Sequence, residues 1–476
     1  MTVHSPATAI AHPGAPPANS RRWLGLVLLC LAQLMLILDI TVVNVALPDI
    51  GAGLQLARPT LTWVLTAYTI AFGGLMLFGG RLADLFGARR VLLTGLVIFT
   101  GASMASGLAN GGPMLIGGRA AQGLGAALLS PSALSIVTTT FSGTERNKAL
   151  GFWAAVGGAG AALGVVVGGV LTSIAGWPWV FFINVPIGLV VLATLPSLIP
   201  AIRPVAGGSR VDVAGALIVT AATGGAVYGL ISAGSHGWLS SWALAPLGAA
   251  AAGYAVFAAI ERRMRTPLMD VRILARRPVA AGAFLMLVAT GLLVGAFFLG
   301  SFYLQEVRGY SALHTGLAFL PVAIATVIGA QTAGHAVSHL DRRVLTASAL
   351  TLAAAGALTA AEWTGPVTLI TGMSVAALGL GATLVTAMTT ALARVAPNEA
   401  GLRSGIVNTF HELGGAAGVA AVSSIAAPSL AVSSAGITGF SHAFMFCAVA
   451  ALAAALLAAV VAPAGTAEAG VMPHGH

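Results

Sequence analysis

Three ionisable side chains stand inside long apolar stretches of this 476-residue chain: Asp39, Arg119 and Glu412. An ion at the centre of a bilayer costs roughly 2.5–3.5 kcal/mol on insertion scales, so it is seldom kept without a partner or a task. A carboxyl group in such a place can take up and release a proton, because burial favours its neutral form and a nearby guanidinium favours its charged form. Asp39 lies about 17 residues past Arg22, roughly 25 Å along a helix rising 1.5 Å per residue. Arg119 lies about six residues into a stretch that runs the opposite way. The two share a depth and are expected to face each other as a proton-coupling pair; the alternative is a permanent ion pair that only joins two helices. Glu412 falls near mid-depth of its own stretch. It is expected to act as a further proton site or as a counter-charge for a cationic substrate, with a protonated, hydrogen-bonded core carboxyl as the alternative. Its neighbour His411 points about 100° away on a helix and is expected to be packed or hydrogen-bonded. His335 and His339, with Asp341 nearby, have a spacing that suits zinc, but they mark a helix end and are expected to be solvated. Neither a metal site nor a catalytic constellation is expected. Cys30 and Cys447 lie at opposite ends of the chain, so no disulfide framework is expected either.

These charges need elements to hold them. The chain is 58% hydrophobic and 7% charged, against about 25% charged for soluble domains. So few charges cannot coat a water-facing surface of this size, and the apolar surplus must face lipid. Fourteen apolar stretches are long enough to cross a bilayer, at about 20 residues each. They run roughly over 22–46, 60–80, 90–108, 113–138, 149–172, 179–200, 212–233, 243–261, 279–304, 315–337, 344–361, 367–392, 402–426 and 441–462. None alternates with period two, so helices are expected rather than a β-barrel. The formal net charge of +9 does not point to nucleic acid, because the basic residues are scattered between apolar stretches. Of the 22 Lys and Arg, nineteen fall in tails or loops on the side of residue 1, two on the other side (Arg58 and Arg308), and one within a span (Arg119). That asymmetry predicts cytoplasmic termini in a multi-pass protein of the cell membrane. Residues 1–20, rich in Ala, Pro and His, lack the apolar core of a signal peptide and read as a disordered cytoplasmic tail. Residues 463–476 read as a second tail.

Residues 80–92 read GRLADLFGARRVL and residues 334–345 read GHAVSHLDRRVL. Each follows an even-numbered span, and each ends Arg-Arg-Val-Leu. The echo predicts two related six-helix bundles, over 21–200 and 279–462. Residues 201–278 form a linker with two inserted spans and a basic cytoplasmic loop. Repeated halves with a site between them at mid-membrane are a transporter arrangement.

Several motifs together resemble the major facilitator superfamily, specifically its fourteen-span drug–proton antiporter branch. LDITVVNVALP (Leu38 to Pro48) is similar to the branch's first-span motif. GRLADLFGARR is similar to the superfamily's loop motif, with Gly80, Asp84, Gly87, Arg89 and Arg90 in place. RAAQGLGAA (Arg119 to Ala127) is similar to its fourth-span motif, and WPWVFFINVPIG (Trp177 to Gly188) to the start of its sixth span, with Pro178 where Arg is usual. Gly160, Gly164, Gly168 and Gly169 match the fifth-span antiporter motif, but Val165 replaces its proline. Those glycines form one smooth face, for packing or for gating. The resemblance implies an all-α membrane protein of two six-helix bundles plus two inserted helices. It also implies proton coupling at Asp39 and Arg119, and a cytoplasmic gate at the Asp84 motif that latches the halves; a merely solvated charge cluster is the alternative there.

The expected function is export of small amphipathic drugs or antibiotics in exchange for protons, by alternating access, with no cofactor beyond the proton gradient. Small molecules, protons and the bilayer are the expected partners, and the chain is expected to be a monomer. Candidate cavity residues are Asn44, Trp63, Tyr68, Gln122, Phe298, Tyr303 and Asn408, with Glu412. A proton-coupled metabolite importer on the same scaffold is the first alternative. An intramembrane enzyme is the second, and would need clustered His, Asp or Glu at one depth.

Overall fold

The computed structural model describes residues 19–56, 58–199, 213–264, 269–362, 365–393, 395, 399–431 and 438–461. The expected tails fall outside these residues, apart from Asn19 and Ser20, which begin the first helix instead of ending a tail. Among the described residues there is no strand. The first half comprises α1 (Asn19–Leu54), α2 (Arg58–Phe86), α3 (Ala88–Gly107), α4 (Gly112–Thr140), α5 (Gly143–Ala175), α6 (Trp179–Phe182) and α7 (Asn184–Leu198). Two helices follow, α8 (Val213–His236) and α9 (Ser241–Glu261). The second half comprises α10 (Arg277–Phe302), α11 (Ala312–Ala318), α12 (Leu320–Ala336), α13 (Arg342–Ala361), α14 (Pro366–Ala391), α15 (Ala400–Ala431) and α16 (Thr438–Val461). The pairs α6–α7 and α11–α12 each form one crossing.

Among the described residues, twelve helical crossings are long and apolar enough to span a membrane. The two other expected crossings, 149–172 and 402–426, coincide with α5 and α15, which are 33 and 32 residues long and each contain side chains outside the described residues. α5 packs on α12 and α15 on α2, each across the boundary between the halves.

The two halves repeat one packing pattern. α2 and α3 both lie along α4; α12 and α13 both lie along α14. α1 packs on α5 as α10 packs on α15. Hydrophobic burial cannot drive such contacts between helices already in lipid, so close backbone approach must. The repeat shows in small residues: Gly95 and Gly125 meet between α3 and α4, and Gly356 and Gly372 meet between α13 and α14. The inserted α8 touches both α2 and α15, so it lies along the seam between the halves, while α9 packs on α8.

The turn between α2 and α3 requires glycine for its backbone. Gly87 alone joins α2 to α3, at φ +92°, where a Cβ would be strained. The glycine face of α5 meets α1: a Cβ on Gly160 would press on Ile37, one on Gly164 would collide with Thr41, and one on Gly168 would reach Val42 at 3.0 Å. Gly169 is half-buried beside them. The side chain of Val165 lies outside the described residues. The face is thus the α1–α5 contact surface. Gly164→Val should lower stability by about 1–3 kcal/mol, the usual cost of overpacking. Thermal unfolding of the detergent-solubilised protein reads this, and an unchanged transition would reject the contact.

Candidate functional site

Asp39 and Arg119 meet. Both are about 1% exposed, and the guanidinium Nη1 bonds Asp39 Oδ2. Such a pair survives burial only when the remaining polar positions are also satisfied. Here Asp39 Oδ1 accepts from Gln122 Nε2 and from Asn184 Nδ2, each at 2.9 Å. Arg119 Nε donates to the Val64 carbonyl at 3.2 Å, and its Nη1 also reaches Gln122 Oε1 at 2.9 Å. Gln122 donates to Ser103 Oγ at 2.7 Å. The guanidinium lies 4.3 Å from the centre of the Tyr68 ring, a favourable cation–π position. Helices α1, α2, α3, α4 and α7 all contribute to this cluster. Two buried atoms beside it have no hydrogen-bond partner, the Tyr68 hydroxyl and Asn184 Oδ1.

One helical turn along α2 from Tyr68 stands Phe72, whose ring packs on that of Tyr68 at 5.5 Å. Phe72 lines a cavity between the halves. α1 contributes Gln33 and Ile37, α2 Met76, α4 Ser130 and α5 Trp153. From the second half come Leu384 and Met388 of α14, with Asn408, His411 and Glu412 of α15. Polar bonds cross the boundary here: Asn408 Nδ2 donates to Ser130 Oγ at 3.2 Å, and Ser130 Oγ donates to Gln33 Oε1 at 3.0 Å. His411 Nδ1 and Thr290 Oγ1 share a hydrogen bond of 3.1 Å. The cavity volume is about 30 Å³, which suits a few waters and is far below the 300–1,000 Å³ or so of a drug-sized site. This conformation is therefore closed around its centre.

The closure has a visible cause at the end that carries the Asp84 motif. Asp84 Oδ1 accepts the Gly401 amide at 2.7 Å and Oδ2 accepts the Leu402 amide at 2.8 Å. A side chain of the first half thus caps the N-terminus of α15 in the second, where free N–H groups and the helix dipole favour an anion. Gly80 and Gly401 lie backbone to backbone, and a Cβ on either would strike the other's carbonyl oxygen. The matching contact on the other flank is Gly151 of α5 against α12, with a Cβ there 3.2 Å from the Ala330 carbonyl and 3.6 Å from Gly334. Arg89 is half-buried and Arg90 exposed at the start of α3. In the echo of the motif, Asp341 Oδ1 accepts the Arg343 amide at 2.8 Å and caps α13 of its own half. His335 is exposed and bonds the Gln331 carbonyl at 2.8 Å.

The other expected cavity residues scatter. Asn408 and Glu412 line the cavity. Gln122 and Tyr68 belong to the Asp39 cluster. Asn44 is exposed and bonds the Ile40 carbonyl at 2.8 Å. Trp63 is 48% exposed and stacks on Tyr228 of α8 at 6.3 Å. Phe298 packs on Phe302 at 5.4 Å, and Tyr303 lies edge-on to Phe440 at 6.0 Å. Sequence reasoning missed Ser103, Asn184, Gln33, Ser130 and Trp153. Four of these are polar residues in apolar spans, and that signal could have found them.

A family model described as the Major Facilitator Superfamily matches residues 29–419. The chain is 37% identical over 429 residues to a puromycin resistance protein of Streptomyces alboniger, covering 88% of this chain and 84% of that one. It is 35% identical over 422 residues to a cephamycin export protein of Amycolatopsis lactamdurans, covering 86% and 85%. It is 32% identical over 427 residues to a tetracenomycin C resistance and export protein of Streptomyces glaucescens, covering 88% and 78%. Among solved structures, a proton:xylose symporter shares the fold with a TM-score of 0.63 at 14% identity, covering 95% of this chain and 98% of that one. Repeated helical halves, a closed cavity between them and these relatives lead to one assignment: the chain belongs to the Major Facilitator Superfamily, within its antibiotic-resistance and drug-export branch.

Proposed function

We propose that this protein exports small amphipathic drugs or antibiotics in exchange for protons, by alternating access, from a cell membrane with both termini in the cytoplasm. The positive-inside distribution of Lys and Arg supports that orientation. It makes the Asp84 end cytoplasmic and gives fourteen crossings. The observation that carries the reading is the buried Asp39 cluster, one turn of α2 from the cavity. Every partner of the Asp39 carboxylate is a donor, which matches the ionised form. When Asp39 takes a proton it must donate instead. Asn184 Oδ1, now without a partner, becomes that acceptor on rotation of the amide. The cluster therefore has an arrangement for each protonation state. Rearrangement there reaches the cavity through Tyr68 and Phe72, and the α2–α15 and α5–α12 contacts open as the halves rock.

Everted membrane vesicles test this. With the vesicle interior acidified, an exporter should accumulate a substrate such as puromycin several-fold above its external concentration, and an uncoupler should abolish the accumulation. Accumulation that survives the uncoupler, or that needs the opposite gradient, would reject proton-driven export. Uptake from the opposite face would favour the importer.

A further inference from the structure

We infer that Glu412 is the counter-charge for a monovalent, cationic, amphipathic substrate, held against the aromatic faces of the central cavity. This rests on the cavity being the substrate site. Glu412 stands twelve residues into α15, about 18 Å from the Asp84 end at 1.5 Å per residue, and it lines the cavity. It is the only acid among the lining residues, and no Lys or Arg lines the cavity with it. Among the described residues it has neither an ion-pair partner nor a hydrogen-bond partner. Arg119, a cation of the same membrane interior, is committed to Asp39. His411 shares its Nδ1 hydrogen bond with Thr290 of α10. Facing α2 presents Gly73, where even a Cβ would lie 3.7 Å from that of Glu412, so no side chain there covers the acid.

An unpaired carboxyl in a membrane interior is kept by a proton or by a balancing positive charge, and a bound cation can take the proton's place. What surrounds it selects the kind. Trp153 and Phe72 bring aromatic rings to the lining, and such rings attract a cation electrostatically. Met76, Met388 and Leu384 offer adaptable apolar contact for the body of the same molecule. Gln33, Ser130 and Asn408 are already joined to one another. A single negative charge in an apolar, aromatic pocket recognises one positive charge on an apolar frame. An anion of the same shape would be repelled, and an uncharged one would bind without help from Glu412.

Equilibrium binding to the purified, detergent-solubilised protein tests this with no gradient present. The probes are the permanent cation tetraphenylphosphonium and the uncharged dye Nile red. Tetraphenylphosphonium should bind the wild type, and should bind Glu412→Gln at least tenfold more weakly, while Nile red affinity stays within twofold. Glu412→Asp should recover part of the cation affinity. In the wild type, dicyclohexylcarbodiimide should modify Glu412, and saturating tetraphenylphosphonium should slow that modification; this arm needs no variant to fold. Equal cation affinity in Glu412→Gln, equal loss of both probes, no cation binding to the wild type, or labelling of Glu412 that ignores the cation would each overturn the inference. Loss of gradient-driven transport with this binding pattern intact would overturn proton-driven export and leave the cation site standing.

Discussion

Asp39→Asn is expected to abolish uphill transport, lowering gradient-driven accumulation at least 100-fold while leaving downhill substrate exchange across the membrane measurable. The substitution keeps the size and most hydrogen-bonding geometry of the side chain, so Gln122 and Asn184 can still reach it. What it removes is the capacity to carry a proton. It also leaves Arg119, about 1% exposed, as a buried cation without its anion. Breaking one side of such a pair costs about 3–5 kcal/mol, so a fall in stability alone could mimic a fall in transport. The double variant Asp39→Asn with Arg119→Gln separates the two. It removes both charges and should recover much of the lost thermal stability, yet still fail to accumulate substrate against a gradient. If Asp39→Asn accumulates substrate at the wild-type rate under a proton gradient, the pair is only a structural join between α1 and α4.

The second large effect concerns closure at the Asp84 end. Gly80→Val places a branched side chain where α2 and α15 now touch through the carbonyls of Gly80 and Gly401. The backbones cannot then approach, and this end should stay open. Transport should fall more than tenfold, because one of the two alternating states is lost, while each half keeps its own packing. Asp84→Ala should act in the same direction more mildly. It removes the acceptor of two N–H groups, at 2.7 and 2.8 Å, and with it a helix cap of about 0.5–2 kcal/mol. Accessibility gives the direct readout. In a background lacking Cys30 and Cys447, a Ser130→Cys probe in the cavity should react faster with a water-soluble thiol reagent applied from the Asp84 side when Gly80→Val is also present. Transport at the wild-type rate in both variants, or unchanged reactivity of the probe, would show that the α2–α15 contact does not gate the cavity.

Much of the site's depth was legible in sequence because helix rise converts residue number into height. Counting from Arg22 and from residue 113 put Asp39 and Arg119 at one level, and the structure joins them. Azimuth was a different matter. These helices are apolar on almost every side, so no stripe marks which face turns inward. That is why Asn44 and Trp63, at acceptable depths, came out exposed, and why Phe298 and Tyr303 pack on aromatic neighbours instead of the cavity.

What the chain determined by itself was its class, the place of its helical rods and the level of its buried charges, since these follow from apolar length, loop charge and a fixed rise per residue. Only the tertiary structure decided which donors surround Asp39, that Asp84 caps a helix more than three hundred residues away, and that Glu412 faces the cavity without a partner. Those contacts join rods from different parts of the chain, and their rotation about their axes is set by the close packing of small residues across both halves, a property no single segment contains.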